Sequence, residues 1–116
     1  MVARGGYVPE RGDLVWVDFD PQSGGKQAKR WPAIVLSRAA YNGRAGLFVV
    51  CPITSRIKGY PFEAVLPAGG AIAGAVLADQ VKSLDWLSRS VAFIEKAPPQ
   101  ILDQATVFAA GIVAGK

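Results

Sequence analysis

"DLVWVDFDPQSGGKQAKRWPAIVLS", residues 13–37, reads as strand, turn and strand, and its reading decides the fold class. Asp13–Phe19 is apolar and rich in Val, with a Trp, as strands are. Asp20–Gly25 is turn chemistry. A basic segment then carries Lys26, Lys29 and Arg30 up to Trp31. Pro32 opens a second strand, "PAIVLS", at a position where a sheet tolerates a missing N–H.

The same alternation of short apolar runs and turn signals continues outward. "YNGRAG" (41–46) holds Asn-Gly and predicts a turn. "LFVVCPI" (47–53) is apolar without alternation and predicts a strand covered on both faces. "TSRIKGYP" (54–61) is a polar, basic loop, "FEAVL" (62–66) a short strand and "PAGGAIAG" (67–74) a flexible connector. "AVLADQV" (75–81) and "SRSVAFIEK" (88–96) predict strands, with "KSLDWL" a turn or short helix between them. Pro98-Pro99 starts a helix over 98–114, with Ile101, Ala105, Phe108 and Ile112 at helical spacing on one face. Residues 1–12, rich in Gly and broken by Pro9, read as a flexible lead-in. The expectation is mostly β: six or so strands in a small antiparallel barrel, capped by a C-terminal α-helix, in one domain over 1–116.

Composition narrows the chemistry. The chain has no His, so Ser-His-Asp and Cys-His mechanisms are out, and so is a zinc site of the usual Cys and His ligands. The single Cys, Cys51, sits in an apolar run and reads as packing; one Cys cannot form an internal disulfide, which suits a reducing cytoplasm. No stretch resembles a signal peptide or reaches the length of a membrane span. Neither a metal nor a cofactor is expected. The net charge of +4 favours an anionic partner such as nucleic acid, but many soluble proteins are this basic without one.

Loops at one end of adjacent barrel strands meet. Lys26, Lys29 and Arg30 are therefore candidates to face Thr54, Ser55, Arg56 and Lys58. A hydroxyl pair amid cations suits a phosphodiester; ordinary charged loops are the competing reading.

The segments "GDLVWVDFDPQSGGKQAKRWPAIVLS", "YNGRAG", "PITSRIKGYPFE" and "VLADQVKSLDW", in this order from Gly12 to Trp86, resemble the MazF/PemK (Kid) toxins of bacterial toxin–antitoxin modules. The resemblance implies an SH3-like barrel homodimer that cuts single-stranded RNA sequence-selectively without a metal. It also implies a cognate antitoxin whose disordered tail lies over the RNA groove. In that family the ribose 2′-hydroxyl attacks its own phosphate, giving a 2′,3′-cyclic phosphate and a 5′-hydroxyl. The protein supplies geometry and charge stabilisation from an Arg and a Ser or Thr. Thr54 matches the hydroxyl position and Lys58 a phosphate contact.

The Arg position departs from the pattern. Members read Arg-Pro-Ala where this chain reads Arg30-Trp31-Pro32-Ala33, so Trp31 stands in the place of the Arg. Arg30 takes over the catalytic role if the loop bulges by one residue. Trp31 then packs on the barrel or at the dimer interface, the first-ranked reading, or stacks an RNA base, the second. Lys26 stands where many relatives carry Glu. Asp79 and Gln80 follow the pattern and are groove candidates, with the satisfaction of backbone groups at a strand end as the plainer alternative; Phe19 is a further one, which more plainly packs. A catalytically attenuated RNA- or antitoxin-binding relative, and a gyrase-poisoning toxin on the same fold, are the alternative functions.

Overall fold

In a computed structural model, which describes residues 6–18 and 30–115, β1 (Asp13–Asp18) lies between β2 (Arg30–Val35) and β7 (Val91–Lys96), antiparallel to both. The order runs β4 (Glu63–Val65), β5 (Ala75–Leu77), β3 (Leu47–Thr54), β2, β1, β7. One edge of the eight-residue β3 is shared: Leu47–Val50 pairs with β6 (Lys82–Asp85), and Ile53–Thr54 pairs with β5. Among the described residues β4 and β7 do not pair, so the sheet is barrel-like and not closed.

Side-chain alternation puts one apolar cluster on each face of this sheet. Leu14, Ile34, Cys51, Ile53 and Val76 form the first, packed under α2 (Pro99–Ala114) through Ile101 and Ala105. Val15, Val17, Ala33, Val35, Phe48 and Val50 form the second, closed by Trp86. β3 contributes to both, as its unbroken apolar run predicts. Cys51 is completely buried.

Four elements differ from their sequence reading. "YNGRAG" is the end of a helix, α1 (Ala39–Ala45), because Asn42 is not a turn residue here. Asn42 is fully buried; its Nδ2 donates to the carbonyls of Pro9 and Ser37, and its Oδ1 accepts from Ser37 Oγ. The helix then stops at Gly46, whose φ of 72° allows the left-handed cap. "KSLD" is strand β6, held by register with β3, where a turn or short helix was expected. "AVLADQV" gives a strand only to Leu77 and turns through a short 3-10 segment, Ala78–Gln80. The lead-in is anchored from Tyr7 onward: the Tyr7 hydroxyl and the Glu10 N–H both donate to the buried Asp13 carboxylate.

The terminal helix begins at Pro99 with Pro98 as its N-cap. Its buried face is Ile101, Ala105 and Ala109. Phe108 is half-buried against the edge of Phe62, and Ile112 is 38% exposed, so the expected apolar face holds for Ile101 and Ala105 and not for Ile112.

Candidate active site

The β1–β2 ladder settles which side chain at the basic edge faces which way. Leu14↔Ile34, Val15↔Ala33, Trp16↔Pro32, Val17↔Trp31 and Asp18↔Arg30 pair without a bulge. The one-residue shift that would let Arg30 replace the residue at 31 is therefore absent. In a strand, neighbours point to opposite faces. Arg30 shares a face with Pro32 and Ile34, and its guanidinium carbon lies 5.7 Å from the ring centroid of Trp16. Trp31 shares the other face with Ala33 and Val35. Trp31 is 43% exposed, so it is not packed into the barrel.

On that second face lies an open cleft of about 380 Å³. Trp31, Pro52, Ile53 and Leu77 form its apolar walls; Thr54, Gln80 and Lys82 line its polar side. Register explains the set. Ala33↔Pro52, Thr54↔Ala75 and Val50↔Lys82 are cross-strand pairs, so Trp31, Pro52, Thr54, Leu77 and Lys82 fall on one face by alternation. Gln80 comes from the 3-10 segment that joins β5 to β6.

Thr54 ends β3, and its Oγ1 accepts the N–H of Arg56 at 3.1 Å. This fixes the start of the loop 55–62. The loop's middle is held by Glu63, which is buried: Oε1 accepts from the N–H of Gly59 at 2.9 Å and of Lys58 at 3.2 Å. Ser55, Arg56 and Lys58 are exposed on this loop, and the Lys58 ammonium sits 5.8 Å over the Tyr60 ring centroid. Asp79 is exposed and does not line the cleft. Beneath the cleft floor, burial pushes the Cys51 thiol up to about 12, with the Asp79 charge adding to the rise and Lys82 opposing it.

Of the residues singled out from the sequence, the structure thus brings Thr54, Trp31 and Gln80 together and leaves Arg30 on the opposite face. Lys26, Lys29 and Phe19 lie outside the described residues. Sequence reasoning missed Pro52, Ile53, Leu77 and Lys82 in the cleft, and Glu63 as the anchor of its loop. Reading 82–85 as a strand would have brought Lys82 onto the Thr54 face by parity.

Among the described residues no helix is long and apolar enough to cross a membrane. Residues 10–107 match the family described as PemK-like, MazF-like toxin of type II toxin–antitoxin system. The chain is 53% identical over 89 residues to the endoribonuclease toxin MazF of Escherichia coli, covering 77% of this chain and 78% of the relative. The crystal structure of MazF from Deinococcus radiodurans superposes with a TM-score of 0.84 at 50% identity, covering 95% of this chain and 99% of that one. A MazE–MazF complex from the same organism gives 0.82 at 47% identity, covering 94% and 97%. Fold and sequence agree, and the chain belongs to the PemK-like, MazF-like toxins of type II toxin–antitoxin systems.

Proposed function

We propose that the protein is an endoribonuclease toxin that cuts single-stranded RNA sequence-selectively, without a metal, by attack of the ribose 2′-hydroxyl on its own phosphate. The products are a 2′,3′-cyclic phosphate and a 5′-hydroxyl. The endoribonuclease activity named for its relatives supports RNA as the substrate. The observation that carries the reading is the placement of Thr54. One lone pair of its Oγ1 is taken by the Arg56 N–H, which leaves the hydroxyl proton to donate into a cleft that Lys82 and Gln80 also line. A donor fixed before the reaction stabilises charge as it develops on the phosphoryl oxygens. The nucleophile belongs to the substrate, so the lack of His and the burial of the one Cys are no obstacle. Arg56 and Lys58 stand on the adjoining loop, where they hold the RNA backbone. The working unit is a homodimer in the cytoplasm, silenced by a cognate antitoxin; the MazE–MazF complex of the Deinococcus relative supports a partner of the MazE kind.

A second reading, an attenuated nuclease that acts chiefly by binding RNA or antitoxin, is favoured by one observation: Trp31, and not Arg30, faces Thr54. An aromatic ring cannot stabilise phosphorane charge as a guanidinium does.

Digestion of a defined RNA, with end analysis of the fragments, tests the first reading. Cleavage persists in excess EDTA, the fragments end in 2′,3′-cyclic phosphate, and a 2′-O-methyl at the cut site protects the RNA. Loss of activity on chelation, or cleavage of the methylated substrate, overturns internal attack. No cleavage of any RNA, with RNA binding retained, moves the second reading ahead.

A further inference from the structure

The geometry points to Trp31 as the stacking platform for a single unpaired nucleobase, with the cleft beside it as that base's subsite. The inference rests on the reading of the protein as an RNA-acting toxin. Trp31 carries a large, flat ring and is 43% exposed as a residue, yet it stands on a fixed strand paired to Val17. Pro52 and Leu77 give the cleft apolar sides, so a base can leave water on more than one face. At about 380 Å³ the cleft lies at the small end of the roughly 300–1,000 Å³ common for small-molecule sites. That suits one splayed-out base and not a stacked duplex.

The polar groups are distributed as a nucleotide needs. Gln80 offers both a donor and an acceptor to the edge of a base, and so contributes discrimination that a stacking surface alone lacks. Lys82 and Thr54 line the same cleft, within reach of the attached phosphate. An apolar anchor of a peptide would use the walls but leave the Gln80 amide and the Thr54 hydroxyl without matching partners. Single-stranded RNA uses both. The residue at 31 then acts in positioning: it holds one base beside Thr54, and Gln80 reads that base's edge.

A double-mutant cycle tests this. Single-stranded RNA with 2′-O-methyl riboses throughout, selected from a pool by binding to the full-length protein, is scanned with one abasic nucleotide at a time. Affinities are measured for the parent, Trp31→Phe and Trp31→Ala. At one position the abasic change weakens binding to the parent by about five- to a hundredfold, the range of base–aromatic stacking. That penalty survives in Trp31→Phe and disappears in Trp31→Ala, while penalties elsewhere stay. Equal abasic penalties in parent and Trp31→Ala at every position overturn the proposal, as does absence of RNA binding by the parent. So does a Trp31→Ala protein that binds RNA normally and loses only its grip on an antitoxin. Cleavage of unmodified RNA is scored separately, so a protein that binds with the expected coupling but does not cut removes the nuclease reading and keeps the subsite.

Discussion

A Cβ on Gly74 would lie 2.0 Å from the carbonyl oxygen of Thr54, closer than any side chain can stand to backbone. Gly74 also has a φ of 128°, in the region where L side chains are strained. The contact sits where β5 meets the end of β3, with Thr54 paired to Ala75. Gly74 is thus a geometric condition on the position of the candidate catalytic hydroxyl.

Gly74→Ala should therefore harm both stability and activity. Backbone strain of this kind costs on the order of 1–3 kcal/mol, and the clash adds to it. Each kcal/mol lowers the melting temperature by about 4 °C in a domain of 116 residues, between the values for smaller and larger domains. RNA cleavage should fall more steeply than the folded fraction at the assay temperature, because relief of the clash moves Thr54. A variant with parental melting temperature and cleavage rate would mean that Gly74 does not set Thr54.

Glu63 is the next point of control. Its buried carboxylate accepts the N–H groups of Lys58 and Gly59, and so ties the loop bearing Arg56 and Lys58 to the sheet. Glu63→Ala leaves those donors to water and frees the loop. Losing hydrogen bonds to a charged acceptor costs about 1.5–3 kcal/mol. RNA affinity should drop and protease cuts should appear in 55–62, while Glu63→Gln, which keeps one acceptor oxygen, should lie between. Limited proteolysis of the three proteins checks this.

The two devices differ in how far the sequence exposed them. "KGYPFE" marked the loop, but nothing local told that Glu63 turns inward to hold it. Gly74 ended a run of connector glycines, and only the approach of Thr54 singles it out. The strands were legible where apolar runs met turn residues, as at 47–53. Asn42-Gly43 misled because its turn chemistry was overridden by tertiary hydrogen bonds to Pro9 and Ser37. β6 was hidden because its exposed Lys82, Ser83 and Asp85 give little apolar signal, and its strand state comes from pairing with β3. Trp31 and Arg30 show the same limit at the site. The residue types were visible, but which of the two faces Thr54 depends on ladder register, and a one-residue difference reverses it.

Alkaline pH should destabilise the fold through Cys51 and Tyr7. Burial raises the Cys51 thiol from 9.0 to about 12. Burial, the hydrogen bond donated to Asp13 and the Asp13 charge, in that order, raise the Tyr7 phenol well above its usual value. Both groups keep their protons longer in the native state. Unfolding then releases protons above about pH 9, so stability is full below that pH and falls as pH rises toward 12. The slope approaches about 1.4 kcal/mol per pH unit for each proton released. Thermal melts from pH 7 to 11 should show this decline, with a shallower slope in Cys51→Ala and in Tyr7→Phe. An unchanged slope in both variants would place its origin elsewhere.

Thr54 and Trp31 line the same cleft, and substitutions at the two positions should have opposite effects. Thr54→Val keeps the shape and removes the hydroxyl, whereas Thr54→Ser keeps the donor. Loss of one fixed donor to a developing oxyanion typically costs about a hundred- to a thousandfold in rate. Thr54→Val should fall by that order and Thr54→Ser by far less. Trp31→Arg places a guanidinium on the Thr54 side of β2 and should raise the cleavage rate, up to the same order, because a planar fork of donors then meets the phosphoryl oxygens beside Thr54. Arg30→Ala removes a cation that lies over Trp16 on the far face, and should change the rate only a few-fold. Single-turnover cleavage of one saturating RNA by the four variants separates these effects from binding. If Arg30→Ala loses as much rate as Thr54→Val, the cleft of one protomer is not the catalytic unit, and Arg30 must reach the phosphate from a partner copy or after a change of strand register.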